Sequence, residues 1–431
     1  MTDLPGYRPT ARSCLLLAAV FAAVYGSAAV LRHHSLNSRL FDLGLQHQVV
    51  WNTSQGRWFE SSLEVANYLG DHVSLIVLPV AAVYRLLPRV ETLLLLGALA
   101  LTGSAVCLYF LARQVGGGAA AAWCVALSFL LHPACGLQSI NDFHVEVLSL
   151  PFMFAGVLFA VRRQWWWASL PLTVALAAKE DVGLTLAAFG AYCWIRMRAR
   201  VFGAGWMIAG LAWSLVALFV ILPHFRGDAP SDTWRRYHWL LSPDATTAAL
   251  VGLYSLRGAL MLFVPLALYP LRSFEFLVGI FVFGYCYVSA ESIWMANPGF
   301  QSLVPAIPFV FFSLIRGLGR SGSAKPLSRH CYLVAAGCLL LAATELLIRW
   351  KSSETVGWSW FRAVLFLAAG LALALIGRRL AGGQLLVATS VVGFLAFNPV
   401  TYAMFPSRTT MLHRRVPINR ADLRAAAELI P

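Results

Sequence analysis

Apolar residues dominate this chain in long runs that are separated by short polar stretches. A helix needs about 20 apolar residues, or about 17 at the short end, to cross the hydrocarbon core of a bilayer. Runs near that length recur along almost the whole sequence, which is typical of an all-α polytopic membrane protein. The pattern predicts thirteen spans, at residues 14–32, 92–112, 119–136, 146–161, 165–178, 182–195, 203–222, 255–271, 274–290, 300–315, 331–348, 360–377 and 384–404.

A fourteenth apolar run, residues 73–87, is ambiguous. It has 15 residues, contains Pro79 and carries Arg85. The run forms either a tilted span or a short juxtamembrane helix near the interface, and the arginine distribution below favours the second interpretation.

The apolar run from residue 165 to residue 195 is interrupted by three consecutive charged residues, Lys179, Glu180 and Asp181. One long helix would place them near the bilayer centre, at a cost of about 2.5 to 3.5 kcal/mol for each charge. Two short spans avoid that cost, so we expect a hairpin at residues 179–181 that is open to water on the outer side.

Composition agrees with a membrane protein and argues against a nucleic-acid partner. Hydrophobic residues make up 59% of the chain and charged residues 12%, whereas soluble domains carry about a quarter charged residues. The net charge of +14 comes mainly from arginines that flank apolar runs, which is a topology signal rather than a basic groove. The eight cysteines lie in apolar runs without a CxxC pair and predict no metal or redox role.

The arginines also predict an orientation. With a cytoplasmic N-terminus and thirteen spans, the clusters "RR", "RMRAR" and "GRR" face the cytoplasm, as the positive-inside bias requires. Most acidic residues then lie outside. The outer segments include outer loop 1 at 33–91, outer loop 2 at 137–145, the hairpin at 179–181 and a further outer loop at 223–254. The spans form one integrated domain at 1–404. The arginine-rich tail at 405–431 lies outside in this topology, against the bias.

Two acidic motifs lie in outer loop 1. Asp42, in "FDLG", is either a helix N-cap or a carboxylate placed to accept a proton from a substrate hydroxyl. Asp71 and His72, in "LGDH", are either a cap with an interfacial histidine or groups that contact a substrate or a metal. The residues do not decide between the two readings of Asp42, and they favour the structural reading of Asp71.

The stretch "DFHVE" lies between the third and fourth spans. In an extended chain Asp142, His144 and Glu146 point to one face, and in a helix Asp142 and Glu146 align. Carboxylates and imidazole suit a divalent metal such as Mg, Mn or Zn. In the alternative reading Asp142 caps the next helix, and His144 and Glu146 lie in its first turn.

The charged triplet at the predicted hairpin also has two readings. Lys179 can bind a phosphate as a point charge, while Glu180 and Asp181 can bind a metal or position a hydroxyl. Alternatively the three charges satisfy one another within a tight turn. The cost of placing charges within an apolar run favours the functional reading.

The motifs "FDLG…WNT…GR", "LGDH.S", "DFH.E" and "KED" occur in this order and resemble a prokaryotic membrane-protein family, domain of unknown function 2079. The resemblance is strong over residues 40–200 and weaker to the end. That family is in turn similar to the C-type membrane glycosyltransferases (GT-C), multi-span bundles with a catalytic Asp in the first outer loop and a second acidic motif in the second. These enzymes take sugars from polyprenyl-phosphate carriers.

The resemblance implies a GT-C-like bundle and a site in the outer loops. Asp42 would be the first-loop Asp and Asp142 the second acidic position. The chain departs from the family at Gln46-His47-Gln48, where an Asp is usual, and at Gln301-Ser302, where a His-Tyr pair is common. The family also tends to continue beyond the tail into an outer soluble segment.

The leading hypothesis is a glycosyltransferase that transfers a sugar from a polyprenyl-phosphate carrier to an acceptor at the outer face of the plasma membrane. The expected catalytic residues are Asp42, Asp142 and Lys179. A divalent metal would be bound by Asp142 with His144 or Glu146. The expected substrate-binding residues are Asp71, His72, Glu180, Asp181 and Arg57.

Two other classes of function remain open. An ion-coupled transporter or flippase would use His144 and residues 179–181 as an ion or proton relay, in a cavity open alternately to both sides. A non-catalytic membrane assembly protein would use the same charges as caps and turn pairs. In that case Asp42, Asp142 and Lys179 would be scattered rather than close together.

Overall fold

Apolar segments of this length form helices because a helix satisfies its own backbone N–H and C=O groups, as an apolar surround requires. The computed structural model describes residues 10–38, 40–63, 65–227, 235–290, 293–320, 328–351 and 359–398. Its α-helices are α1 (Ala11–His34), α2 (Leu45–Ser54), α3 (Val77–Leu86), α4 (Val90–Gln114), α5 (Ala119–Leu131), α6 (Pro133–Ile140), α7 (Ser149–Val161), α8 (Trp165–Leu176), α9 (Val182–Ile195), α10 (Arg200–Val216), α11 (Leu222–Arg226), α12 (Ala245–Phe263), α13 (Ile280–Tyr287), α14 (Ile307–Arg320), α15 (Ser328–Lys351), α16 (Ser359–Ile376) and α17 (Gly382–Phe397).

The predicted fold class, an all-α polytopic membrane protein, is confirmed. In the part of the chain that the structure describes, six helical segments are long and apolar enough to cross a membrane, and α5 with α6, bent by 41°, forms a seventh if the two are one span. Each of the thirteen predicted runs contains a helix. The count of thirteen spans stays a prediction, because helices such as α8, with 12 residues, are shorter than a bilayer crossing.

The ambiguous fourteenth run forms the short helix α3. Its 10 residues extend about 15 Å at 1.5 Å per residue, roughly half the thickness of the hydrocarbon core. The helix packs against α2, which also lies in outer loop 1. This length favours a juxtamembrane helix over a tilted span.

The predicted break in the run from residue 165 to residue 195 is confirmed, since α8 ends at Leu176 and α9 begins at Val182. Helix α9 then packs closely along α10 at two pairs of glycines. A Cβ atom added to Gly203 would lie 2.7 Å from the carbonyl oxygen of Gly190, and one added to Gly210 would lie 2.3 Å from that of Gly183. Small residues allow such close approach between helices in membranes, and here the contact supports the turn at residues 177–181.

Helices α1 and α4 run antiparallel and define two ends of the bundle. His34, in the last turn of α1, contacts Glu91, in the first turn of α4, with 3.1 Å between Nε2 and Oε1. Cys14, near the start of α1, contacts the carbonyl oxygen of Ala105, in the C-terminal half of α4. We call the end where α1 stops and α4 starts the upper end, and the end where α4 stops the lower end.

A small apolar core lies at the upper end, separate from the large core between the spans. It joins outer loop 1, outer loop 2 and the turn after α8, because these segments contribute buried side chains to it. Its members include Leu43, Val49, Tyr68, Phe143 and Ala178. The three segments that carry the acidic motifs therefore share one apolar base.

Several predictions fall on residues that the structure does not describe. These are the tail at 405–431, the last residues of the final predicted span, and residues 228–234 of the outer loop at 223–254. The division of the chain into a domain at 1–404 and a tail therefore stays a prediction.

We expect Gly203→Ala to destabilise the protein. The added methyl group would press on the backbone of α9 at Gly190 and Trp194, and overpacking of this kind costs about 1 to 3 kcal/mol. Thermal unfolding of the purified protein in detergent measures the change. The matched control is Gly205→Ala on the same helix, where an added Cβ meets no atom within 4 Å. Equal midpoints for the two variants would contradict the close helix packing.

Candidate functional site

Polar and apolar side chains alternate from residue 142, in outer loop 2, to residue 146, directly after that loop. Phe143 and Val145 are buried in the small apolar core at the upper end of the bundle, at 1% and 0% exposure. The residues that alternate with them, Asp142, His144 and Glu146, contact charged side chains instead. Neither regular form predicted from the sequence is present, because Asp142 has a left-handed backbone (φ 60°) and the chain enters a 3₁₀ turn at Val145.

Asp142 forms a buried ion pair with Arg32, at the end of α1. The predicted capping role for Asp142 is wrong, because the 3₁₀ turn that precedes α7 has His144 at its N-cap position. Arg32 was not among the residues predicted for the site. A signal for it was present, since an arginine directly after the first apolar run would be expected either at the surface or opposite an acid.

Asp42 lies in a π-helical turn, Leu40–Gly44, that leads directly into α2. Gly44, rather than Asp42, occupies the N-cap position of α2. One carboxylate oxygen of Asp42 lies 3.9 Å from Nε2 of His144, and the Asp42 side chain is 24% exposed. Burial lowers the pKa of His144 below its ordinary value, and its Nδ1 has no hydrogen-bond partner among the described residues.

Lys179 forms an ion pair with Glu146, with 2.9 Å between Nζ and Oε1. Both side chains are almost completely buried. The second carboxylate oxygen of Glu146 has no hydrogen-bond partner in the described part of the chain. The sequence predicted that Lys179 contacts a phosphate. In the structure its ammonium group is instead paired with the Glu146 carboxylate, which precedes α7.

Glu180 holds His72 in position. Its two carboxylate oxygens lie 3.1 Å from Nδ1 of His72 and 3.0 Å from the backbone nitrogen of Val73, which donates to it. Burial lowers the pKa of His72, but Asp71 and Glu180 outweigh it and raise that pKa above its ordinary value. Burial raises the pKa of Glu180, but His72 outweighs it and lowers that pKa. The pair therefore favours the ionised forms of both groups.

Asp181 accepts a hydrogen bond from the hydroxyl of Tyr285, at 2.5 Å. The same hydroxyl lies 3.0 Å from the carbonyl oxygen of Ser302. Burial raises the pKa of Asp181, so this carboxyl and its neighbour Glu180 shift in opposite directions. The alternative prediction of a self-satisfied triplet is wrong, because residues 179, 180 and 181 each pair with a different element. Tyr285, on α13, was not predicted for the site.

Asp71 lies between His72 and Arg226. Its carboxylate oxygens are 3.8 Å from Nε2 of His72 and 3.7 Å from Nη2 of Arg226. Arg226, on α11, also donates from Nε to the carbonyl oxygen of Gly70 at 2.7 Å. Asp71 is not a cap of α3, which begins six residues later with Ile76 at its N-cap position. Arg226 was not predicted, since its neighbourhood reads as an ordinary loop.

We use the term polar network for this set of side chains at the upper end of the bundle, whose contacting groups are joined to one another through the backbone of residues 142–146 and 179–181. Each member contacts at least one other, and together they link outer loops 1 and 2 with the α8–α9 turn, α1, α11 and α13. The members are Arg32, Asp42, Asp71, His72, Asp142, His144, Glu146, Lys179, Glu180, Asp181, Arg226 and Tyr285.

Arg57 makes its contacts outside this network. Its guanidinium lies over the ring of Trp51, donates to Asn52 at 2.5 Å and is 3.7 Å from a carboxylate oxygen of Glu60. The Arg57 side chain is about half exposed. A substrate-binding role for Arg57 stays a prediction.

The predicted metal ligands do not fit a shared ion. Asp142, His144 and Glu146 are engaged by Arg32, Asp42 and Lys179, respectively. Among the described residues, no three His, Cys, Asp or Glu side chains meet as metal ligands would. A metal cofactor therefore stays a prediction from the sequence pattern alone.

A family model described as "Predicted membrane protein (DUF2079)" matches residues 32–406, which include every member of the polar network. No curated protein sequence matches the chain.

Two solved structures are similar, both of ArnT from Cupriavidus metallidurans. The crystal structure bound to undecaprenyl phosphate gives a TM-score of 0.54 at 16% sequence identity and covers 94% of this chain and 78% of that one. The apo structure gives a TM-score of 0.46 at 17% identity and covers 92% and 80% of the two chains. The first likeness shows a shared fold over most of the chain.

We expect Lys179→Met to destabilise the protein strongly, because it leaves the Glu146 carboxylate buried without its cation. Breaking a buried pair on one side typically costs about 3 to 5 kcal/mol. The double variant Lys179→Met with Glu146→Gln should recover a large part of that loss. Thermal unfolding of the two single variants and the double variant forms the test. Additive losses would show that the two side chains do not depend on each other.

The contact between His72 and Glu180 should make stability depend on pH. A histidine whose pKa is raised on folding contributes stability that is complete below its ordinary pKa and is lost as the pH rises through the raised one. We therefore expect the unfolding midpoint of the unmodified protein to fall more than that of His72→Gln as the pH rises above the ordinary histidine pKa of about 6.5. Parallel pH profiles for the two proteins would contradict this coupling.

Proposed function

The chain belongs to the DUF2079 family of predicted membrane proteins, and we propose that it is a membrane glycosyltransferase. In the proposed reaction it transfers a sugar from a polyprenyl-phosphate carrier to an acceptor at the outer face of the plasma membrane. The motif resemblance to C-type glycosyltransferases supports this reaction. So does the fold shared with ArnT, which was crystallised with undecaprenyl phosphate.

The convergence of the acidic motifs carries the proposal. Asp42, Asp142 and Lys179 come from three separate segments. Asp42 contacts His144 and Lys179 contacts Glu146, so both groups meet the short stretch 142–146 that carries Asp142. Buried ion pairs of this kind add little net stability, because desolvation offsets their attraction. An assembly protein with charges in caps and turns would have left these groups apart, so their convergence favours a reaction site.

Asp42 is the proposed general base. Its carboxylate is partly exposed, whereas Asp142 and Glu146 are buried. It would accept the acceptor hydroxyl proton while the hydroxyl oxygen bonds to the anomeric carbon of the sugar. The bond from that carbon to the carrier phosphate breaks, and the leaving phosphate keeps the electron pair. His144 would position the Asp42 carboxylate through Nε2.

Preorganised cations would stabilise the negative charge that develops on the leaving phosphate in the transition state. His72 and Arg226 flank Asp71, and both side chains are partly exposed. The raised pKa of His72 favours its protonated, donating form. In this proposal His72 and Arg226 contact the carrier phosphate, and Lys179 positions Glu146 instead of meeting the phosphate itself.

The remaining members would act as positioning residues. The pair Asp142–Arg32 ties outer loop 2 to the end of α1. Glu180 orients His72, and Asp181 ties the α8–α9 turn to α13 through Tyr285. No metal step is included, because the predicted ligands bind separate partners.

We expect Asp42→Asn to abolish most sugar transfer while leaving the protein folded. Loss of a general base typically reduces turnover by about 10² to 10⁴-fold, and the amide keeps the shape of the carboxyl group. The measurement is transfer from a radiolabelled polyprenyl-phosphate sugar in membranes that contain the protein. A companion measurement of polyprenyl-phosphate binding should be little changed.

The matched control is Glu60→Gln, since Glu60 is an exposed acid of the same outer loop and pairs only loosely with Arg57. Its transfer rate should equal that of the unmodified protein. Normal transfer by Asp42→Asn and Asp142→Asn would refute the mechanism. Movement of labelled lipid across the membrane without sugar transfer would instead support the transporter or flippase hypothesis.

A further inference from the structure

A large cavity opens at the lower end of the bundle, away from the polar network. Its volume is about 900 Å³, which lies within the range of about 300 to 1,000 Å³ typical of ligand sites. The ends of α4, α9 and α14 form its walls, together with the segments that precede α5 and α17. It is partly open to the surroundings of the protein.

Two helices show how far this cavity lies from the network. Helix α4 begins beside His34 at the upper end and reaches the cavity at Ala112. Its 25 residues extend about 37 Å. Helix α9 follows Asp181, a member of the network, and reaches the cavity at Tyr192. The cavity and the network therefore lie near opposite faces of the bundle.

Arginines dominate the charge of the cavity walls. Arg196, Arg316 and Arg320 line it, with Glu275 as the acidic residue among the lining side chains. Glu275 is buried and already held, because it accepts hydrogen bonds from Ser273 and from Tyr192 and lies 3.9 Å from Nε of Arg316. The glutamate thus offsets part of the charge of Arg316, and the cavity keeps a net positive charge.

The backbone at two helix starts adds donors to the same cavity. Gly118 is the N-cap residue of α5, and no side chain caps that helix there. The first-turn residues of α5 line the cavity, as does the start of α17 at Gly382. The hydroxyl of Tyr269, which is fully buried and lacks a hydrogen-bond partner among the described residues, lies beside Gly382, 3.1 Å from the place of an added Cβ.

We propose that this lower cavity binds a phosphate-bearing anion. Arginine guanidinium groups match phosphate oxygens in geometry and charge, and free N–H groups at a helix start favour an anion. The ligand is the headgroup of an anionic phospholipid or a dissolved phosphate, since both present the same chemistry. Basic pockets between spanning helices hold anionic headgroups in other membrane proteins. The site shares no residue with the proposed glycosyltransferase centre.

The test uses the full chain in nanodiscs and follows thermal unfolding by tryptophan fluorescence. One arm raises the fraction of phosphatidylglycerol in phosphatidylcholine nanodiscs. The other titrates inorganic phosphate into pure phosphatidylcholine nanodiscs at constant ionic strength. We expect stabilisation in at least one arm, and the arm that responds identifies the source of the phosphate.

Two variants address the arginines and the helix start separately. Arg196→Gln with Arg320→Gln should raise the concentration for half-maximal stabilisation about tenfold or more, because contacts to charged groups are lost. Gly118→Asp should weaken stabilisation as well, since its carboxylate would repel the anion. Asp is also a preferred N-cap residue, and a Cβ at Gly118 meets no atom within 4 Å. The basal unfolding midpoint of Gly118→Asp should therefore be unchanged or higher.

The matched control is Arg113→Gln, an exposed arginine at the same end of the bundle that does not line the cavity. It should respond to both probes like the unmodified protein. Absence of stabilisation by either probe would overturn the proposal. An equal loss of response in Arg113→Gln and the double variant would also overturn it, because a general surface-charge effect would then explain the result.

Discussion

The ion pair between Lys179 and Glu146 is the contact on which the upper end of this protein depends. Withdrawing an ammonium or a carboxylate from water costs several kcal/mol, so neither group is stable in an apolar surround without the other. Lys179 lies in the turn between α8 and α9, and Glu146 lies just before α7. Their pairing fixes these two segments relative to each other, and the remaining contacts extend from there to outer loop 1, α1 and α13.

The apolar core beneath the network explains why the pairing is specific. Phe143, Val145 and Ala178 alternate with, or directly precede, the charged residues and are buried in one small core with Val49 and Tyr68. Burying the apolar residues forces the charged ones to the other side, where they meet. Hydrophobic burial and charge pairing therefore favour the same arrangement of the three loops. Such agreement between separate interactions is expected of a sequence that folds to one structure.

The two ends of the bundle differ in charge and in access. The upper end holds paired acids and bases with a few partly exposed groups, of which Asp42 is one. The lower end holds arginines around an open cavity. Long helices such as α4 connect the two ends without a charged residue between Glu91 and Arg113, since an apolar surround excludes unpaired charge. This difference between the two ends fits the two proposed ligands, the polyprenyl-phosphate sugar at the upper end and the phosphate-bearing anion at the lower end.

The sequence by itself determined the class of fold, the places of the helices and the break at residues 177–181, because these follow from apolar length and from the cost of charge within it. It also placed Asp42, Asp142 and Lys179 in segments that meet. Only the tertiary structure decided their partners. Arg32, Arg226 and Tyr285 lie far along the chain from the groups they contact. Sequence patterns report local periodicity, whereas a buried charge is satisfied by whichever opposite group the packed helices bring within reach, and that choice depends on the whole bundle.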